Sequence, residues 1–358
     1  MTSDALKLTI YFGERERVED RFLADALLDI YGAHELRASV LLRGVEGFGV
    51  EHHLRTDRIL SLSEDLPVVA VAVDKRERIE RVLDAVLEMS FDGLVTLERA
   101  RIPTAGGPVD LPLDLHEASK LTVYVGRGRR VEGRAGHEAA LEILHRRGVD
   151  GATVLLGVDG TIGGARRRAG FFSRNAGVPL MVISVGSGER IAQVIPELAE
   201  SLGDPVMTLE RVRVCKRDGQ VLASPGEVAE ADEHGMNLWQ KLMLYSSEQT
   251  HFGPHPVHIE AVRRLLSAGA TGATALRGIW GYDGRHPPHG DTFWSLRRRV
   301  PTLTVVVDTP SNIQRWFGEL DRITPRRGLI TAEIVPALRA TGPEITRGGL
   351  RLASRRRG

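Results

Sequence analysis

The sequence predicts an α+β protein built from three tandem βαββαβ units, and three observations carry that prediction. A short strand recurs as Lys7-Leu8-Thr9-Ile10-Tyr11, Lys120-Leu121-Thr122-Val123-Tyr124 and Lys241-Leu242-Met243-Leu244-Tyr245. The distances that follow it are nearly constant. From Tyr11, Tyr124 and Tyr245 to Gly44, Gly157 and Gly278 is 33 residues each time. From those glycines to Pro67, Pro179 and Pro301 is 23, 22 and 23, and from the prolines to Glu98, Glu210 and Glu333 is 31, 31 and 32. Self-similarity at a fixed period marks repeated structural units. Finally, within each copy the apolar pattern switches between strand and helix periods in one order.

The first copy shows that order. Leu6–Phe12 alternates as a strand, and Val18–Tyr31 follows as a helix with Phe22, Leu23, Ala26, Leu27 and Ile30 on one face. Arg37–Leu42 is a second strand that opens a long polar loop. Pro67–Val73 is a third, wholly apolar strand, and Glu77–Met89 is a helix with Ile79, Val82, Leu83, Val86 and Leu87 inward. Asp92-Gly93 turns the chain into a fourth strand, Leu94–Ile102. This is the split-βαβ, ferredoxin-like plan: an antiparallel sheet of four strands with both helices on one face. The expected units span 5–103, 118–216 and 237–340. Gly- and Pro-containing linkers separate them, and a basic, disordered tail covers 341–358. The third strands, Val68–Val73, Leu180–Val185 and Leu303–Val307, are apolar or nearly so at both alternating positions, so both of their faces must be covered. The expected packing is therefore an intramolecular pseudo-trimer, its three sheets facing a shared centre.

Composition narrows the function. The net charge of +1 provides no global field toward nucleic acid or membrane, so an anion site would have to be a local cluster. The single cysteine, Cys215, excludes an intrachain disulfide and a cysteine-only metal site, and its strand context suggests a buried, inert thiol. The first residues lack a basic start and long apolar segment, and no run reaches the roughly 18 apolar residues of a membrane span. A cytoplasmic location is expected.

Arg43-Gly44-Val45-Glu46-Gly47-Phe48-Gly49, Ser61–Val69 and Asp74 resemble the PII-like proteins catalogued as domain of unknown function 190. The resemblance is strongest over 6–102. It weakens over 119–214, where Phe48 has no aromatic counterpart, and again over 239–340, where Trp280-Gly281-Tyr282 opens the loop. It implies a ferredoxin-like, trimeric fold that binds anionic small molecules, often nucleotides, between subunits. The loop after the second strand then contacts a partner protein. Some members are associated with fluoride-channel genes, which adds a membrane transporter or channel to the expected partners. The phosphate-binding loop that PII proteins carry before the fourth strand has no match here.

Candidate ligand residues follow from residue chemistry. Gly44, Gly47, Gly49, Gly157, Gly160, Gly278 and Gly281 could provide close backbone approach or an anion nest, or simply a strained strand exit. Arg43, Arg55, Arg166, Arg167, Arg168 and Arg277 carry the guanidinium forks suited to phosphate or carboxylate. Phe48 offers a stacking face. Lys7, Lys120 and Lys241 form the polar side of strand one or line an inter-repeat cleft, and the recurrence of Glu98, Glu210 and Glu333 on the fourth strand fits an edge charge or a salt bridge to those lysines as well as a general base. His255 and His258 are the rival set, as zinc ligands.

No P-loop, Rossmann glycine pattern, Ser-His-Asp order or H-E-x-x-H pattern occurs, and the third strands lack aromatics for base stacking. The expectation is a non-enzymatic regulatory protein that senses a small anion, an adenine nucleotide among the candidates, in inter-repeat clefts. It would bind no specific nucleic acid and would act as a monomeric pseudo-trimer. The alternatives are metal or ion homeostasis, fluoride included, and a ligand-free scaffold.

Overall fold

The computed structural model describes residues 2–57, 65–103, 109, 111, 115, 118–166, 177–283, 287–290 and 300–353. The first repeat contains β1 (Thr2–Gly13), α1 (Leu23–Ala33), β2 (Ala38–Phe48), β3 (Pro67–Lys75), α2 (Arg76–Glu88) and β4 (Gly93–Pro103). The second contains β5 (Ser119–Gly126), α3 (Gly136–Arg146), β6 (Gly151–Ile162), β7 (Pro179–Gly186), α4 (Gly188–Leu202) and β8 (Val206–Arg211), with β9 (Arg213–Arg217) after it. The third contains β10 (Trp239–Ser247), α5 (Val257–Ser267), β11 (Ala273–Asp283), β12 (Pro301–Asp308), α6 (Pro310–Ile323) and β13 (Leu329–Val335). Two strands, β14 (Ala337–Gly342) and β15 (Ile345–Gly349), close the described chain.

These elements do not make the expected fold class. The described residues are mainly antiparallel sheet, 48% strand and 24% helix, and close into a nine-stranded barrel rather than three separate ferredoxin-like units. The reason lies in how far the second and fourth strands run. β2 was expected to stop at Leu42 but continues to Phe48, and its second half pairs with the first half of β11, from Gly44↔Leu276 to Phe48↔Ala273. β6 does the same on β2, and β11 on β6. At the other end, β4 reaches β8 through Arg101↔Leu209, β9 pairs with β13, and β14 pairs with β4. Each repeat thus spends its sheet edges on its neighbours, which satisfies backbone groups that a free edge would leave unpaired.

The helices cover the outside of the sheet. α2 buries Ile79, Val82, Leu83 and Val86 as its spacing predicts. In α1 the buried face is Leu23, Leu27, Leu28 and Tyr31, because Phe22 stands at the N-cap and is exposed. Leu87 is exposed as well. The inner faces of the third strands meet in one cluster that draws on all three repeats, with Val69, Val71 and Val73 beside Met181 and Ile183 and beside Leu303, Val305 and Val307. The expected disordered tail is corrected in part, since β15 pairs with β14 from Leu338↔Gly349 to Gly342↔Ile345. Residues 354–358 of that tail lie outside the described residues. Cys215 is buried on β9, and burial pushes its thiol up to about 12.

Candidate functional site

The barrel interior carries a closed ring of six charges. Strand register sets each repeat's lysine opposite its own glutamate: Lys7↔Glu98, Lys120↔Glu210 and Lys241↔Glu333. These pairs lie at 3.0, 2.9 and 3.0 Å. Each ammonium also reaches the glutamate of the next repeat, Lys7 to Glu210, Lys120 to Glu333 at 2.6 Å and Lys241 to Glu98. All six side chains are at most 8% exposed. Burial works against the Lys7 and Lys241 ammonium groups, but the carboxylates outweigh it and hold both above the ordinary lysine range. Burial likewise opposes ionisation of Glu98, and the three lysines outweigh it, so that carboxyl sits well below its usual range. Among the described residues, the three glutamates are also the one group whose carboxylates cluster closely enough for a metal ion. The lysines already neutralise them, so the ring is a salt-bridge network that joins the repeats in cyclic order. Each carboxylate is paired with two ammonium groups, one of them hydrogen-bonded to it, and this pairing is what makes such burial tolerable.

The repeated glycines mark where the second strands cross. A Cβ on Gly44 would lie 2.7 Å from Pro67 and 3.1 Å from the Ala275 carbonyl oxygen of the third repeat. On Gly278 it would meet Val154 O of the second repeat at 2.9 Å, and on Gly157 it would meet Val40 Cγ1 of the first at 2.8 Å. Gly47 and Gly281 meet the Ala273 and Ala152 carbonyl oxygens in the same way, at 2.6 and 2.5 Å, and Gly160 approaches the Ser39 carbonyl. Glycine is needed here because two backbones pass too close for a side chain.

The arginines expected to bind an anion are engaged by carboxylates. Arg43 bridges Glu14 at 2.8 Å, and its counterpart Arg277 bridges Glu248 at 2.6 Å. Arg55 contacts Asp65 at 3.0 Å. Arg166 holds Asp159 at 2.8 Å and Asp25 at 2.9 Å, and also Asp29, which ties the second repeat to α1 of the first. Arg167 and Arg168 lie outside the described residues. The histidine pair is separated by environment. His255 precedes α5, with Arg263 Nη1 3.4 Å from its Nε2, whereas His258 is buried in the first turn of that helix.

What the structure does assemble is a cleft between the first and third repeats. A cavity of about 120 Å³ opens there. Its apolar walls are Tyr11, Phe12, Phe48, Pro67 and Leu94 from the first repeat and Val305 and Val307 from the third. Phe48 is nearly buried and also packs into the core of the third repeat. The base of the long loop adds Gly49, Val50, Glu51, His53 and Arg55, and the turn before β4 adds Asp92 and Gly93. Glu16 accepts the Asp92 N–H at 3.0 Å, and burial raises its carboxyl above the usual range despite that bond.

The lining includes the sequence candidates Phe48, Gly49 and Arg55 together with Glu51, and also Glu16 and Asp92, which the sequence does not single out as ligand groups. Glu16 has no repeated signature to find, because Arg129 and Thr250 stand at its position in the other copies. The other two crossings are built from different residues. Tyr282, at the position of Phe48, is buried and donates its hydroxyl to Val149 O at 3.0 Å, with the His145 ring edge-on at 5.0 Å. Thr161, at the same position in the second repeat, is 3.0 Å from Ser39 Oγ.

The family model for domain of unknown function 190, described as "Uncharacterized ACR", matches this chain three times, over residues 5–102, 118–214 and 239–337. A UPF0166 protein of Aquifex aeolicus is 28% identical over 95 residues, covering 26% of this chain and 90% of the relative. A UPF0166 protein of Methanocaldococcus jannaschii is 34% identical over 86 residues, covering 24% of this chain and 78% of the relative. Each relative is therefore about one repeat long. Among the described residues, no helix is long and apolar enough to cross a membrane.

Proposed function

Because this chain belongs to the domain of unknown function 190 family, with three copies of the unit in one polypeptide, we propose that it is a PII-like, non-enzymatic regulatory protein. It takes a small ligand in the cleft between its first and third repeats and reports occupancy through the loop that follows β2. One observation supports this above the others. The cavity walls come from the root of that loop, from the turn before β4 and from the facing strands of the third repeat, so a single occupant touches all three. A mostly apolar cavity with a few convergent polar groups is the usual form of a small-molecule site. The partner read by the loop would be a protein, a transporter or channel among the candidates, in the cytoplasm.

The test is calorimetry with a panel of nucleotides, small organic ions and divalent metals on the wild type and on Thr271→Trp, which fills the cleft from its third-repeat wall. Binding that Thr271→Trp abolishes supports the reading. Binding that is indifferent to Thr271→Trp, or silence across the panel, overturns it.

A further inference from the structure

We infer that the cleft between the first and third repeats selects a small organic cation: an aromatic or aliphatic body with an ammonium or guanidinium head. This rests on the ligand-sensing reading above and names the chemistry of the ligand. The argument begins with charge. Three carboxylates line the cavity, Glu16, Glu51 and Asp92, against one arginine, Arg55. Arg55 does not offset them, because its guanidinium is held by Asp65 at 3.0 Å. The imidazole of His53 lies 3.9 Å from Glu51. The third repeat contributes only uncharged groups to the lining, such as Thr271, Thr274, Val305 and Val307. A phosphate placed here would face unscreened like charge in a half-enclosed space, whereas a cation would gain from it.

Position sharpens the point. Glu16 and Asp92 come from two turns of the first repeat joined by the Asp92 N–H bond to Glu16, so the acidic corner is held in place. The second repeat reverses the sign at the first of these positions: Arg129 stands where Glu16 does, and its guanidinium lies where a Cβ on Gly203 would meet it. The third repeat has Thr250 and Arg327 at the two positions. The acidic corner is thus specific to the first repeat, the one whose loop root borders the cavity. The aromatic rings of Tyr11, Phe12 and Phe48 provide the surface for the ligand's body, and aromatic faces add to the attraction for a cation.

Three probes share one body and differ in charge: 2-phenylethylamine, 2-phenylethanol and phenylacetate. They are titrated into the full chain at pH 7 by calorimetry or by NMR, with ATP as a fourth probe and Thr271→Trp as the control for location. The expected result is that the amine binds at least tenfold tighter than phenylacetate, with the alcohol between them. Glu16→Gln with Asp92→Asn should remove that preference while leaving the alcohol's affinity within about threefold, which separates loss of charge from loss of the fold. Phenylacetate or ATP binding more tightly than the amine, and lost in Thr271→Trp, overturns the cation assignment but leaves the sensing cleft standing. Binding by none of the four overturns the cation assignment too, and a wider ligand panel then decides the sensing reading.

Discussion

At the level of the salt-bridge ring the three repeats present the same two residues, Lys7, Lys120 and Lys241 with Glu98, Glu210 and Glu333. One layer away, where each second strand crosses its neighbour, they present Glu46, Asp159 and Trp280 at a single equivalent position. Glu46 is buried 3.8 Å from Arg263 of α5, Asp159 meets Arg166, and Trp280 packs edge-on to His137 of α3 with ring centres 6.4 Å apart. The difference separates two jobs. The ring has to be closed, and any unlike member would leave a buried charge without its partner. A crossing needs only a complementary neighbour, so each can carry its own chemistry. In a trimer of identical chains all three crossings would be alike; in one polypeptide they can differ, and one has become a cleft.

The ring should break first and hardest. Lys120→Met removes one cation and leaves Glu210 and Glu333 with one partner each in the interior. A loss of about 3–5 kcal/mol is expected from urea denaturation. Removing the neighbouring Glu333 as well, in Lys120→Met with Glu333→Leu, should cost less than the two single variants added together, because no net charge is then buried. A double variant as costly as that sum would mean that the ring's charges act independently. Acid probes the same feature. Glu98 is held below its unfolded range, so its contribution is complete above about pH 5 and is lost as pH falls through the folded value. Lys241 is held above its unfolded range, so its contribution is complete below about pH 10 and is lost as pH rises through the folded value. Each of these two contributions is constant between those limits, while burial holds Lys120 below its ordinary range and so works against Lys241 on the alkaline side. Lys120→Met should make the acid side shallower, because Lys120 helps to hold Glu98 ionised.

The crossings should respond less. Gly44→Ala puts a methyl group against Pro67 and the Ala275 carbonyl, where the neighbouring strand cannot withdraw without giving up ladder bonds. Overpacking of this kind costs about 1–3 kcal/mol. Gly49→Ala has nothing within 4 Å of the added atom and serves as the control. Equal losses in the two would show that the crossing is not what requires glycine.

This contrast also explains what could be read from the chain alone. The recurrence of Lys7 and Glu98 at constant spacing in three copies left a lysine–glutamate salt bridge as one reading beside an edge charge and a general base. Its closure between repeats was not visible, because a pairing inside one unit and one between units leave the same pattern. The apolar third strands, such as Val68–Val73, correctly announced that both faces are buried. The failure was in the second strand. Gly44 and Gly47 look like punctuation and ended the strand at Leu42 on paper, yet β2 runs through them to Phe48. Local propensity treats glycine as a strand breaker, and only the backbone of another repeat explains its presence. That one misplaced boundary hid the barrel, since the second halves of β2, β6 and β11 are the segments that join the repeats. The cleft was partly legible through Phe48 and Arg55. Its acidic corner was not, because Glu16 and Asp92 are 76 residues apart and are brought together by the fold.

The smallest expected effect belongs to the third crossing. Tyr282 differs from Phe48 by a hydroxyl that donates to Val149 O, so Tyr282→Phe keeps the ring in the core of the second repeat and removes a single buried bond. A loss of about 0.5–1.5 kcal/mol is expected, larger than the effect of Arg277→Ala, whose exposed bridge to Glu248 should contribute about 0–1 kcal/mol. The reciprocal change, Phe48→Tyr, would place a hydroxyl in the first crossing, where the cleft lies. If the hydroxyl reaches water in the cleft, stability should change by less than the Tyr282→Phe loss while binding of a cleft ligand changes. If instead it is trapped in the core of the third repeat, stability falls by about 1–3 kcal/mol for a buried group without a partner. The two outcomes separate a crossing that has kept an opening from one that only lacks a hydrogen bond.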